Sequence, residues 1–259
     1  METEGRFNAE KPSSDDGFSA LVKEAVPVQL LTSVALPAYS IDGVIERMET
    51  IDRLLPQEDG VAYFNRVYKK VTEEVDQAVR GSVFENVEFL TRLDVVFANR
   101  YFEAVGQNAR GERVTGAWAP LFEQRARPQT APIQFVLAGM NAHINNDLPL
   151  SVIDTCRDLA LEPHEESPEH RDYTVTNGIL ATVQASIKEW FTIGLIASLD
   201  KAFGKLDDAL SIWSIARGRE AAWNQAETIW FLSGTPRLHD LYVHNLTRTV
   251  GYAGRGILL

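Results

Sequence analysis

Cysteine is nearly absent. Cys156 is the only one in 259 residues, so no disulfide can form within the chain. Such a fold must hold itself by its apolar core, and the absence fits a reducing cytoplasm. Basic residues are in the minority as well. Lys and Arg total 25 against 36 Asp and Glu, a formal charge of −11, and no basic run exceeds Lys69-Lys70. A nucleic-acid binder needs a basic face, so nucleic acid is not an expected partner. Long apolar runs are missing too. No window approaches the ~18 uninterrupted apolar residues of a membrane span. The richest stretch, Trp190 to Leu199, reads as a buried helix. The opening Met-Glu-Thr-Glu-Gly-Arg-Phe-Asn lacks the basic and apolar regions of a signal peptide. These exclusions predict a cytoplasmic protein with neither membrane nor nucleic acid as partner. Oligomeric state stays open.

Strand patterns are also lacking. No alternating, β-branched run bounded by turns occurs, so no sheet is predicted. There is no Walker loop, no Gly-x-Gly-x-x-Gly after a strand, no Gly-x-Ser-x-Gly elbow, no His-Glu-x-x-His and no Cys-x-x-Cys. Those gaps set aside ordinary nucleotide, flavin and serine-hydrolase chemistry.

What is present is helical. Hydrophobic residues make up 45% and charged residues 24%, as in a globular protein with a sizeable core. Residues 1–17 are polar and read as a mobile lead-in, and 18–39 as a short helix and an extended arm broken by Pro27 and Pro37. Ser40 can cap a helix to about Leu55, whose apolar residues Ile41, Val44, Ile45, Met48, Ile51 and Leu54 recur with a 3.6-residue period. Further helices are predicted at about 59–80, 86–107, 118–123 and 130–146. Pro149 either kinks that last one or starts the next, which ends near Leu161. After an acidic loop over 162–171 come helices at about 172–203, 207–233 and 237–250. The expected fold is all-α: an irregular single-domain bundle of about eight helices over 18–259, with short connections.

The densest chemistry lies in Gly139-Met-Asn-Ala-His-Ile-Asn-Asn-Asp-Leu-Pro-Leu. On a helix His143 and Asp147 are one turn apart on one face, with Asn141 and Asn145 beside them and Asn146 adjoining. Polar groups carried into an apolar layer must find hydrogen bonds, a metal or a ligand. A His and a carboxylate at this spacing form an oriented acid–base pair or share a divalent metal. Zinc, manganese or iron would be the cofactor in that second case. Its further ligands would come from His170 and Asp172, carried by the acidic loop acting as a lid, although Asp172 equally suits an N-cap. Asp94, Arg100 and Tyr101 on the third helix form a polar wall: a buried Asp94 needs a partner, and Arg100, Tyr101 or His143 can supply one. Trp223 and Trp230 share a face and can line an apolar cavity. His239 and His244 point some 140° apart on a regular helix, so they share no site. Cys156 reads as a small core residue.

Three segments together resemble a known family. They are Asp59-Gly-Val-Ala-Tyr-Phe-Asn-Arg-Val-Tyr, Leu93-Asp-Val-Val-Phe-Ala-Asn-Arg-Tyr and the Asn-Ala-His-Ile-Asn-x-Asp-Leu block from Asn141. Arg217 to Ala226 fits its C-terminal part. The family is bacterial, common in actinomycetes, and catalogued as domain of unknown function 5995. The resemblance spans about residues 40–235 and implies a mainly helical domain, without supplying a reaction. The function expected from the residues is a small-molecule enzyme, of the kind bacterial secondary metabolism uses. His143 and Asp147 would do the acid–base or metal work while Asn amides orient substrate oxygens. Two alternatives stand beside it: a non-catalytic binder of an apolar small molecule in an aromatic-lined cavity, and a purely structural polar network with no ligand.

Overall fold

A computed structural model describes residues 36–80, 84–194 and 214–259. The lead-in expected over 1–17 and the arm up to residue 35 lie outside the described residues. So do 195–213, where one long helix was expected to end and the next to begin. The described residues are helices and short connections, with no strand among them.

Capping side chains fix where the first helices start. Helix α1 is Ile41–Leu54, and the Ser40 side chain accepts the Gly43 N–H at its N-terminus. Helix α2 is Gly60–Arg80, and α3 is Val87–Ala109, capped by the Asn86 side chain on the Phe89 N–H. Helix α4, Ala119–Gln124, is a short turn. A central rod follows: α5 over Pro132–Ala142, one π-helical turn over His143–Asp147, then α6 over Leu148–Asp158. Helices α7, Pro168–Gly194, α8, Ile215–Phe231, and α9, Pro236–Ile257, complete the described set. With the rod taken as one, the described residues form eight helical rods in one irregular all-α bundle.

The rod is the axis of the packing. Its first half lies against α2 and α9, and its second half against α3 and α8. The π-turn in the middle touches α3, α8 and α9. The main core runs from Val44 and Met48 on α1 to Val250 and Leu258 at the C-terminal end, and a smaller cluster of Val67, Ile133, Val136 and Leu137 joins α2 to α5. Polar anchors cross it: the Asn65 amide on α2 donates to the Met48 carbonyl on α1 at 2.8 Å.

Three boundaries differ from the sequence expectation, each for a local reason. The rod is not a regular helix to Asn146. Pro149 has no N–H for the Asn145 carbonyl and its ring crowds that turn, and the backbone widens just ahead of it, with the Leu148 N–H reaching back to the His143 carbonyl. Helix α7 starts at Pro168, four residues before Asp172. Pro is suited to the first helical position, and the Ser167 hydroxyl accepts the His170 N–H at 3.0 Å. Helix α9 runs past Gly251 to Ile257. Gly251 and Gly254 are not stops there: a Cβ on Gly251 would collide with the Gly116 carbonyl, and Gly254 lies against Pro120.

Candidate functional site

His143 and Asp147 are brought together inside the bundle. His143 Nδ1 lies 3.2 Å from Asp147 Oδ2, and the two residues are only 2% and 3% exposed. Asp147 is held on every side. Trp118 Nε1–H donates to the same Oδ2 at 2.8 Å, and the Asn146 amide donates to Oδ1 at 2.8 Å. The Ser151 hydroxyl donates to the Asp147 carbonyl, knitting the π-turn to α6. Both Asp147 oxygens accept N–H donors, so the carboxyl acts as an acceptor toward the imidazole as well. Nδ1 of His143 is then the donor, and Nε2 carries the lone pair. Burial pushes the His143 pKa below its ordinary value; the bond and charge of Asp147 oppose that, and the positive charge of Arg100 adds to it. The net effect favours the neutral imidazole.

Aromatic rings close around it. Phe97 stacks flat on the imidazole with centroids 3.5 Å apart. Tyr68 meets it edge-on at 4.5 Å, Phe64 at 5.9 Å and Tyr101 at 6.2 Å. Gly139 makes this possible, because any side chain there would run into the Phe64 ring. Within this cage His143 Nε2 and Tyr68 Oη are both buried and both without a hydrogen-bond partner. Burial raises the Tyr68 pKa, and the carboxyls of Asp94 and Asp147 raise it further.

The predicted polar wall is realised only in part. Tyr101 lines the cage, with its hydroxyl on Asn65 Oδ1 at 3.2 Å. Asp94 sits one turn before Phe97, but none of the partners expected for it takes its Oδ2, which is buried and unpartnered. Desolvation raises its pKa to about 7; the charge of Arg219 counteracts this and Asp76 reinforces it. Arg100 instead forms an ion pair with Asp154 on α6 at 2.5 Å. The three asparagines serve the scaffold. Asn141 donates to the Val250 carbonyl of α9 and accepts from Asn145, while Asn146 Oδ1 accepts the Thr247 hydroxyl at 2.7 Å. These contacts occupy the amides expected to orient substrate.

Other residues fall elsewhere. Trp223 packs on Phe89, Tyr173 and His170 and donates to Glu227 at 3.1 Å, so it belongs to the α7–α8 core and not to the His143 cage. The metal set expected from His143, Asp147, His170 and Asp172 is not assembled. The His170 ring lies tilted against Trp223 with centroids 4.8 Å apart, and the Asp172 carboxylate accepts the Glu85 and Asn86 N–H groups at 2.9 and 2.5 Å. Asp172 thus caps the approach to α3, not the start of its own helix. Among the described residues no group of three or more His, Cys, Asp or Glu is placed to hold a metal ion. Cys156 is buried, and burial pushes its thiol up to about 12, the behaviour of an inert core thiol. Among the described residues, no helix is long and apolar enough to cross a membrane.

Sequence reasoning missed Trp118, Tyr68, Phe97 and Thr247 as parts of the site. Each lies far from residue 143 along the chain. Tyr68 and Phe97 carry only the ordinary signal of a helix's apolar face, and nothing local distinguishes them.

An all-α bundle with a carboxylate–histidine pair at a π-turn defines the class. Residues 41–259 match the family of unknown function DUF5995, and the chain belongs to that family. No curated protein and no solved structure matches it.

Proposed function

We propose that the protein is a small-molecule enzyme whose Asp147–His143 dyad performs general acid–base chemistry. The observation that carries this reading is a neutral, carboxylate-oriented imidazole whose Nε2 lone pair is buried without a partner. An orphaned buried acceptor costs about 1–3 kcal/mol, so the bare Nε2 is held against a penalty that a bound donor would relieve. Asp147 fixes the tautomer and would stabilise the imidazolium formed when Nε2 takes a proton. The π-turn adds weight, since such single turns concentrate at functional sites. Asp147 and His143 offer metal too few donors on their own, so acid–base work fits these residues better than metal assistance. The single buried cysteine suits a reducing cytoplasm.

A second reading is favoured by the aromatic cage: a binding protein that holds a small molecule against Phe64, Tyr68 and Phe97 without turning it over. Screening of hydrolase, isomerase and dehydratase substrate panels with wild type, His143→Gln and Asp147→Asn separates the two. The enzyme reading expects turnover that falls roughly 10²–10⁴-fold in His143→Gln. Turnover that survives this substitution would sink it. Ligand-induced stabilisation with no turnover would establish the binder.

A further inference from the structure

The unpartnered atoms around His143 continue as a row. Tyr68 meets Phe97 and Tyr101 across the α2–α3 interface, at 5.9 and 6.0 Å. One turn further along α2 is Thr72, and one turn back along α3 from Phe97 is Asp94. Asp76, a turn beyond Thr72 on α2, acts electrostatically on Asp94 of α3. Thr72 Oγ1 and Asp94 Oδ2 are both buried and unpartnered, like Tyr68 Oη and His143 Nε2. Tyr68, Thr72 and His143 are 6%, 1% and 2% exposed. Asp94 is the half-buried member, so its end of the row lies nearest the solvent. Each of the four is a buried polar group whose hydrogen-bonding capacity is unused, the kind of atom that calls for an explanation.

We propose that this row is a ligand slot for a compact, uncharged molecule that carries hydroxyl or amide N–H donors on an apolar skeleton. The proposal rests on His143 being a site residue and not a packing one. The donors follow from the acceptors: Nε2 has only a lone pair to offer, Asp94 offers a carboxyl oxygen, and the two hydroxyls accept as well as donate. The absence of charge follows from the field. The inner end feels Asp147 and Arg100, of opposite sign, and the outer end feels Asp76 and Arg219, also of opposite sign. Neither an anion nor a cation finds a free counter-charge, and an unpaired buried ion is costly. The rings of Phe64 and Phe97 supply the apolar walls.

The test is thermal unfolding of the full-length protein with resorcinol and benzamide as donor probes, and with benzene and benzoate as donor-free and anionic controls. The donor probes should raise the melting temperature by at least ~2 °C at millimolar concentration, and the controls should not. In a Tyr68→Phe/Thr72→Val variant the probe effect should vanish. The melting temperature without probe should hold or rise, because those hydroxyls hold nothing in the free protein. No shift from either donor probe, an equal shift from benzene, or a shift retained in the double variant would overturn the slot. Loss of turnover in His143→Gln alongside such a result would retire the ligand class and leave the acid–base reading intact.

Discussion

His143 and the half-buried Asp94 are shifted in opposite senses, and their effects on stability are separable by pH. The folded imidazole has a pKa below its ordinary 6.5. As pH falls below about 6.5 the unfolded chain takes that proton first, so stability is lost on the acid side. Asp94 is shifted from 3.8 to about 7. Between these values the folded protein keeps a proton that the unfolded chain has released. Stability from this group is therefore full below about pH 4 and declines as pH rises through 7. Melting curves from pH 4 to 8 should show Asp94→Asn more stable than wild type at pH 8, by on the order of 1–2 kcal/mol after allowance for its partial exposure. His143→Gln should lose less stability than wild type below pH 6. Parallel curves for all three proteins would mean that neither group is held away from its ordinary value. Only part of this was visible in the sequence. The spacing of His143, Asp147 and the asparagines named the dyad. The partners that give it meaning, Trp118 on Asp147 and Thr247 on Asn146, come from turns 29 and 101 residues away.

Helix existence was legible because amphipathic periodicity and caps are local, as Ser40 and Asn86 show. Helix continuity was not, because glycine and proline have two meanings. The last helix was expected to end near residue 250, yet Gly251 lies inside it and marks where it touches the Gly116 backbone. The same holds for Gly139 against Phe64 on the central rod. Alanine is the better helix former by about 1 kcal/mol, while overpacking a fixed neighbour costs about 1–3 kcal/mol. The second term wins where the obstacle is backbone. Gly251→Ala should therefore destabilise by up to ~2 kcal/mol net, whereas Gly256→Ala, which meets nothing within 4 Å, should be neutral or stabilising. Denaturant midpoints decide it: equal midpoints for the two variants would contradict the close approach. The π-turn was hidden for a related reason. Pro149 announced a disturbance, but whether the rod kinks, stops or widens depends on Ser151, α8 and α9 around it.

Assembly of the whole bundle converges on the dyad through its last helix. Helix α9 receives the Gln134 amide on the Ile257 carbonyl and the Asn141 amide on the Val250 carbonyl, and it gives the Thr247 hydroxyl to Asn146. Those three contacts lie along one side of the rod, from the first turn of α5 to the π-turn. Only Thr247 reaches the site by way of a side chain, since Asn146 passes the constraint to Asp147 Oδ1 at 2.8 Å. Thr247→Val keeps the shape and removes the donor, leaving a buried Asn146 oxygen orphaned. The expected cost is ~1–3 kcal/mol, with a shift of the His143 imidazole resonances as Asn146 and Asp147 relax. A merely local packing role predicts the stability loss without the resonance shift. If both stability and the His143 signals stayed at wild-type values, α9 would be a cover on the rod and not part of the machinery that orients the dyad.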